Sequence, residues 1–485
     1  MMKDQSAAAN ELAINMENTE GPRDDEDLFA YLFNEDEYSS TPRSNQQLEG
    51  PKIPKVPRLL RDLDKNKGCF DPHVISIGPY HHGEAQLQEG EKLKTKLARL
   101  HCKTPSKVAA LYKKVKDVAS KAREFYDKEG LKNIHDEAFT KMMFIDGCFI
   151  LEFMIMCLPP MGDQEEYHPK KMITNDIANV KRDLFLLENQ LPYIVLEALM
   201  KDKKQYWRMM TEIFIIMCHR LHHAVKLEDK SPLHLLDTIR ARFMIQSATV
   251  PGGKSQISET DNHRSNSDDR LSPNKTASDW YFYHPARVLK SVGIKFRPNK
   301  TGSFSDVKFE SHLLVRGVLT FPPIRIDAST KSLLLNLLAF ESSCYNNSAD
   351  NVRQDVITSY MCFMDSLIDN AEDVMILRTQ NVINNCLGND QLVADLFNEI
   401  TSNLVPNPHT YAEAKLGIQN HCNNKFKKWM ADCHHIHFRN PWTLLALFGS
   451  LLFIEITATQ TYLEEMELKQ RIINMYVCGF SSNNE

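Results

Sequence analysis

An apolar stretch near the end of the chain, from Trp442 to Thr459, constrains the fold more than any other feature of this sequence. As an α-helix it would be about 27 Å long, close to the hydrocarbon thickness of a bilayer. Trp442 and Tyr462 lie at its two ends, where aromatic residues suit the membrane interface. One carboxylate, Glu455, interrupts the run toward its C-terminal end, and a carboxylate at mid-bilayer costs on the order of 3 kcal/mol. The pattern predicts a transmembrane helix over residues 441–462, with a buried core helix as the alternative.

Charges on either side of this stretch predict its orientation. The upstream cations are Lys425, Lys427, Lys428 and Arg439, and the downstream charged residues are Glu464, Glu465, Glu467, Lys469 and Arg471. Positive flanks favour the cytosolic side, and residues 1–21 show no signal peptide. The sequence therefore predicts a tail-anchored protein of the plasma membrane or an endomembrane, with its domain in the cytosol. Residues 463–485 would form a short C-terminal tail.

Charge is distributed unevenly along the chain. The net charge of the whole protein is −5, but residues 1–50 contain twelve acidic and three basic residues, which gives −9. This composition predicts an acidic disordered N-terminus, in which aromatic residues between Glu26 and Tyr38 lie among carboxylates. A solubilising tail or a segment that binds a basic or apolar partner would both have this composition. No concentrated basic stripe indicates nucleic-acid binding.

Periodicity predicts one domain over residues 51–440. Residues 53–85 are rich in Pro and Gly and favour extended chain and turns. Apolar residues at helical spacing follow, a polar loop at 250–279 interrupts them, and alternating apolar residues predict strands between Asp306 and Phe321. Predicted helices lie at 86–126, 137–158, 176–200, 204–221, 232–244, 331–340, 355–369, 371–384, 390–400 and 410–429. The expected fold class is mainly α: a large helical domain with a small β element and a C-terminal transmembrane helix.

Eleven scattered cysteines do not suggest a disulfide framework. Several lie in apolar segments, such as Cys148 and Cys218, as reduced thiols in a cytosolic core do. Three glycosylation sequons begin at Asn274, Asn299 and Asn346, and they matter only if the domain faces a lumen.

Several blocks together resemble one known family. They are VPRLLRDLD at 56–64, VISIGPYHHGE at 74–84, MFIDGCFILEF at 143–153, DLFLLENQLPYIVLEAL at 183–199, HLLDTIR at 234–240, FESHLLVRGVLTFPPIRIDASTKSLLLNLLAFE at 309–341 and the NPWT-apolar C-terminus. In this order they resemble the plant-specific "domain of unknown function 247" family over residues 52–462. The resemblance implies a single C-terminal transmembrane helix and no established catalytic residue. Glu455 departs from the more uniformly apolar composition of that helix in the family. Some grass members are implicated in self-incompatibility recognition in pollen.

Several groups of residues could carry chemistry, but none forms a complete site. The loop from Ser76 to Gly83 combines a hydroxyl with His81 and His82, yet a nucleophile and base also need a third orienting group. The helical carboxylates Asp146, Glu152, Glu188 and Glu197 could act as acid–base pairs. Structural contacts with caps, backbone N–H groups or arginines are the simpler interpretation, and Arg182, Arg240 and Arg242 are available as partners. The sequence therefore assigns no catalytic residue.

Two patterns resemble ligand sites. Pro251 to Ser255 imitates the end of a phosphate-binding loop, but Ala248 stands where that loop needs Gly. His421-Cys422 and the run from Cys433 to His437 lack the spacing of zinc ligands. The sequence accordingly assigns no cofactor-binding residue and no metal.

Two classes of function agree with these observations. The first is a membrane-anchored recognition or interaction module, whose partners would be the lipid bilayer, through Trp442–Thr459, and other proteins or a second copy of the chain. The second is an enzyme of unknown reaction on an α-rich fold. A deep polar cleft at the Ser76–Gly83 loop would favour the enzyme.

Overall fold

The fold is mainly helical with a small amount of β structure, as the sequence predicts. The computed structural model describes residues 51–158, 174–219, 231–244, 284–312, 316–343, 355–423 and 441–481. The predicted acidic N-terminus and the loop at 250–279 lie outside these ranges.

Among the described residues of the first half of the domain, the regular secondary structure is helical apart from one isolated bridge between Ile53 and Tyr126. Its helices are α1 (Arg58–Arg61), α2 (Gln88–Cys102), α3 (Pro105–Arg123), α4 (Asp136–Cys157), α5 (Thr174–Asp183), α6 (Tyr193–Met200), α7 (Lys204–His219) and α8 (Leu235–Met244). At the start of α3 the hydroxyl oxygen of Thr104 accepts a hydrogen bond from the Lys107 N–H, and Pro105 follows at the first helical position.

The second half mixes helices with short strands. Its elements are α9 (Ala286–Ser291), β1 (Ile294–Pro298), β2 (Lys308–Ser311), β3 (Gly317–Phe321), β4 (Ile324–Ile326), α10 (Thr330–Ser343), α11 (Val356–Leu367), α12 (Ala371–Thr379), β5 (Ile383–Asn385), α13 (Asp390–Thr401) and α14 (Ala412–Asn423). In the first sheet β3 pairs in parallel with β1 and antiparallel with β2, and in the second β4 pairs in parallel with β5.

The helix α4 lies at the centre of the helical half. Its sequence is apolar on nearly every side, which is typical of a helix buried all round. It packs against α2, α3, α6 and α7. One continuous hydrophobic core includes side chains from both halves of the domain, such as Phe153 and Phe214 from the first and Phe321 and Phe363 from the second.

Two polar side chains hold the extended segment at residues 73–77 against the helices. Asp183, the last residue of α5, accepts hydrogen bonds from the backbone N–H groups of His73, Val74 and Ile75 at 2.7–3.1 Å. Asn189 accepts from the N–H of Ile77 at 2.6 Å and donates to the carbonyl of Ile75 at 3.0 Å. Because buried backbone groups without partners are costly, these side chains replace the bonds that a strand or helix would provide.

Polar side chains also bond to backbone groups earlier in the same chain, at Val56 and Cys69. Glu188 accepts from the N–H of Val56 at 2.7 Å, and Asn336 on α10 donates to the carbonyl of Cys69 at 3.0 Å. Asn336 also accepts from the N–H of Leu187 at 2.7 Å. The second half of the domain is thus hydrogen-bonded to the extended segment and to the loop that follows α5.

Two predicted helices are shorter than the apolar periodicity indicates. The predicted helix at 176–200 is interrupted between Asp183 and Tyr193, where Gln190 donates from its side chain to the carbonyls of Leu184 and Leu186. The predicted helix at 371–384 ends at Thr379, and its last residues enter β5. Both corrections have the same reason: tertiary hydrogen bonds outweigh a local helical pattern.

The C-terminal helix α15 (Pro441–Ser481) extends well beyond the predicted end at residue 462. It continues through the charged turn that follows Tyr462, where Lys469 pairs with Glu465 at 2.8 Å. In the part of the chain that the structure describes, no helix combines the length and the apolarity needed to cross a bilayer. The structure therefore does not support the predicted transmembrane helix.

We expect Asp183→Asn to lower the free energy of unfolding by about 3 kcal/mol, because hydrogen bonds to a charged acceptor contribute about 1.5–3 kcal/mol each. The amide keeps the shape of the side chain but loses the charge and one acceptor oxygen. Urea unfolding of the full chain measures the change. The matched control is Asp117→Asn on the exposed face of α3, which should change stability by less than about 0.5 kcal/mol. Equal stabilities of the two variants would contradict this role of Asp183.

Candidate functional site

The loop from Ser76 to Gly83 packs on α2 and α4 through a buried ion pair. Lys94 on α2 contacts the Asp146 carboxylate on α4 at 2.7 Å and the Glu91 carboxylate at 2.7 Å. Its ammonium also donates to the carbonyl of Ser76 at 2.8 Å. Burial lowers the pKa of Lys94, but the two carboxylates outweigh burial, and the net pKa is raised. Lys94 therefore stays charged and joins the loop to both helices.

Gly78 makes the closest approach of this loop to the core. Its N–H donates to Asp146 at 2.9 Å, and its φ angle is +73°. A Cβ at this position would lie 2.9 Å from the carbonyl oxygen of Gln190 and 2.9 Å from the hydroxyl of Tyr126. Only glycine fits here, because both the backbone conformation and the space exclude a side chain.

The hydroxyl and imidazoles of the loop point to different partners. Ser76 Oγ donates to Glu91 at 2.5 Å, whereas His81 Nδ1 lies 2.8 Å from Glu84 and its Nε2 lies 3.8 Å from Glu188. His82 is exposed. Among the described contacts of these residues, none joins the serine to a histidine. The arrangement lacks the hydrogen bond between nucleophile and base that a catalytic dyad requires.

Tyr80 links the loop to two other segments. Its hydroxyl donates to the carbonyl of Ile53 at 2.7 Å and accepts from the N–H of Asp127 at 2.9 Å. Its ring packs edge-on against Tyr126, with ring centroids 5.6 Å apart. Burial raises the pKa of the phenol, so the hydroxyl keeps its proton and acts as the donor to Ile53.

Each of the four carboxylates that the sequence singles out lies within 4 Å of a lysine, arginine or histidine side chain, and these partners differ from Arg182, Arg240 and Arg242. Asp146 pairs with Lys94, and Glu188 pairs with Arg61 at 2.8 Å. The remaining pairs are Glu152 with His101 at 3.3 Å, Glu197 with Lys204 at 3.1 Å, Arg182 with Asp183 at 2.9 Å, Arg240 with Asp237 at 3.7 Å and Arg242 with Glu212 at 3.6 Å. Backbone N–H groups, which were among the expected partners, also bond to Asp146 and Glu188. Arg182, Arg240 and Arg242 pair with other carboxylates.

The possible metal ligands are only partly described. His421 is buried, with Nδ1 3.1 Å from the hydroxyl of Ser311 and Nε2 3.2 Å from the carbonyl of Val292, and these contacts join α14 to the region of β1 and β2. No group of three or more potential ligands of a metal ion occurs within the described ranges. The run at 433–437 and the glycine-rich segment at 251–255 lie outside those ranges.

Sequence reasoning missed a cavity of about 560 Å³ between the two halves of the domain. It is bordered by the ends of α7 and α8, the β4–β5 pair and the beginning of α10, and its lining includes His219, Arg325 and Asp327. One signal was visible: Arg325 alternates with the apolar Ile324 and Ile326 on a strand. The burial of His219 depends on long-range packing and left no sequence signal.

We expect Tyr80→Ala to lower the free energy of unfolding by about 3 kcal/mol through loss of ring packing and of both hydroxyl bonds. Tyr80→Phe should lose about 1–2 kcal/mol, because it removes the hydroxyl alone. The exposed neighbour provides the control: His82→Gln should change stability by less than about 0.5 kcal/mol. Chemical denaturation of each variant measures these differences, and a Tyr80→Ala protein as stable as the parent would show that the loop is not structural.

Comparison with known proteins agrees with the resemblance seen in the sequence. The family model DUF247, plant protein of unknown function, matches residues 53–455. UPF0481 protein At3g47200 of Arabidopsis thaliana is 30% identical over 420 residues, which cover 82% of this chain and 83% of the relative. Putative UPF0481 protein At3g02645 of the same plant is 22% identical over 490 residues, 84% of this chain and 89% of the relative. No solved structure matches the chain. This protein belongs to the DUF247 family of plant proteins of unknown function.

Proposed function

We propose that this protein is an interaction module that is attached to a membrane by its C-terminal helix α15. The observation that carries the proposal is the exposure of large apolar side chains on α15. These side chains are Leu445, Phe448, Leu451, Leu452, Phe453, Ile454 and Ile456, each more than half exposed. Four of them are consecutive, from Leu451 to Ile454, so they point to all sides of the helix.

An apolar surface on all sides of a helix favours lipid over a protein groove. A groove covers one face of an amphipathic helix, whereas hydrocarbon can surround the whole circumference. Exposed in water, these side chains would forgo about 1.5–3 kcal/mol each relative to burial. The proposal concerns attachment, and it does not require that α15 crosses the bilayer.

The contacts of the loop and helices support a recognition module over an enzyme. The residues most suggestive of catalysis, Ser76, His81, Asp146 and Glu188, bond to side chains and backbone of the same domain. The surface that binds a protein partner would then lie elsewhere on the domain or in the acidic residues 1–50.

We further propose that the domain lies on the cytosolic side, since the cations Lys425, Lys427, Lys428 and Arg439 precede α15. The one described sequon supports this orientation. The Asn299 side-chain nitrogen donates to the carbonyl of Asp306 at 2.9 Å, and its oxygen accepts from the N–H of Gly302 at 3.0 Å. Attachment of a glycan would disrupt this turn.

We expect the full chain to float with phosphatidylcholine vesicles in a density gradient and a chain ending at Arg439 to remain at the bottom. Glu455→Leu should increase the floating fraction, because a carboxylate next to hydrocarbon is unfavourable. Glu467→Leu, beyond the apolar run, is the matched control and should have the smaller effect.

Equal behaviour of the full and shortened chains would exclude attachment through α15. In plant membranes, resistance of the full chain to carbonate extraction would indicate that the helix crosses the bilayer. The orientation has a separate test: a glycosidase-sensitive mass shift that Asn299→Gln abolishes would place the domain in a lumen.

A further inference from the structure

The cavity between the two halves of the domain has the size and lining of a small-molecule site. Its volume of about 560 Å³ lies within the usual range of ligand cavities, roughly 300–1,000 Å³. One wall is apolar and includes the rings of Phe243 and Phe304, which stack with centroids 4.2 Å apart, and Leu334. The rest of the lining includes the β4–β5 pair and the turn that begins α10.

Arg325 on β4 lines the cavity, and its guanidinium makes few hydrogen bonds within the protein. Its Nε lies 3.5 Å from Asp327, beyond a good hydrogen bond. Its two terminal nitrogens have no hydrogen-bond partner among the residues that the structure describes. The Asp327 carboxylate is itself occupied by the N–H and hydroxyl of Ser329, at 3.0 and 2.8 Å, and by the hydroxyl of Thr330 at 3.2 Å. Asp327 therefore stabilises the beginning of α10. The two terminal nitrogens of Arg325 remain available to a ligand.

The other two arginines of the cavity already face carboxylates outside it. Arg378 forms hydrogen bonds to both carboxylate oxygens of Asp390 at 3.0–3.3 Å, and Arg242 lies 3.6 Å from Glu212. Arg325 is likewise near a carboxylate, Asp327, at 3.5 Å, but no described hydrogen bond engages its terminal nitrogens. Because Asp327 already offsets part of the Arg325 charge, a ligand with a single negative charge fits this site better than a phosphate dianion does.

His219 adds one neutral polar group to the cavity. Its Nε2 is shielded from solvent and has no hydrogen-bond partner within the described ranges of the chain. Burial lowers the pKa of its imidazole to about 4, so the ring is neutral at physiological pH. A buried polar atom without a partner is unfavourable, and a polar ligand atom would relieve that cost.

We propose that this cavity binds a small organic monocarboxylate with an apolar body. The carboxylate accepts two parallel hydrogen bonds from the terminal nitrogens of Arg325, a geometry that matches a planar carboxylate. The apolar body packs against Phe243, Phe304 and Leu334, and a second polar atom of the ligand bonds to His219. This inference is independent of membrane attachment, because the cavity and α15 have no residue in common.

The test uses three probes, benzoate, phenylacetate and octanoate, each paired with its neutral primary amide. We expect at least one acid to bind the full chain in calorimetry and to raise its melting temperature, and its amide to bind about tenfold more weakly or worse, because a charge-assisted hydrogen bond is lost. Arg325→Gln should remove the preference for the acid. Arg325→Lys should restore only part of it, since an ammonium keeps the charge without the fork.

The matched control is Arg297→Gln, which removes an exposed arginine from β1, outside the cavity. It should leave the affinity for the acid unchanged, and the melting temperatures of the unliganded variants show whether each one folds. Two results would overturn the proposal. One is the absence of saturable binding of all three acids at millimolar concentration, and the other is binding that Arg325→Gln and Arg325→Lys leave unchanged.

Discussion

The backbone of residues 53–80, which include the extended segment at 73–77, must find hydrogen-bond partners inside the domain. The rest of the structure depends on how it does so. Apart from α1, a short helical turn and one isolated bridge between Ile53 and Tyr126, this segment has little secondary structure. Ile53, Ile75 and Ile77 are nonetheless fully buried. Their peptide groups cannot rely on water. Asp183 and Asn189 bond to those of Ile75 and Ile77, while the N–H of Ile53 donates to the carbonyl of Phe125 and its carbonyl accepts from the hydroxyl of Tyr80.

These requirements explain several of the blocks by which the chain resembles its family. In the block at 183–199, Asp183, Glu188, Asn189 and Gln190 each bond to backbone groups. In the block at 143–153, Asp146 bonds to the N–H of Gly78. A buried carboxylate near a serine and a histidine suggests an active site when only the sequence is visible. Here the same residue types hold an irregular backbone, which is why our proposals concern α15 and the cavity instead.

Sequence patterns predicted the elements whose apolar pattern is visible in the sequence. The helices near Asp136–Cys157 and Asp390–Thr401 follow from apolar spacing, and β3 follows from a short β-branched run. The interruption after Asp183 could not be predicted, because the residues there bond to distant parts of the chain: Asp183 to the N–H of Val74, Leu187 to Asn336 and Gln190 to the N–H of Leu236. The strands β1 and β5 were missed because each is short and depends on a distant partner, β3 or β4. Similarly, the loop at 76–83 was correctly interpreted as a turn fixed by glycine, whereas its dependence on Lys94 required the fold.

Amide hydrogen exchange of the full chain, resolved at residues 73–78, tests most directly whether polar side chains hold the extended segment. The account predicts that the N–H groups bonded to Asp183, Asn189 and Asp146 exchange as slowly as those of the buried helix α4, through global unfolding alone. In Asp183→Asn the amides of His73, Val74 and Ile75 should exchange faster relative to α4. Fast exchange of these amides in the parent protein, at a rate typical of exposed loops, would contradict the account.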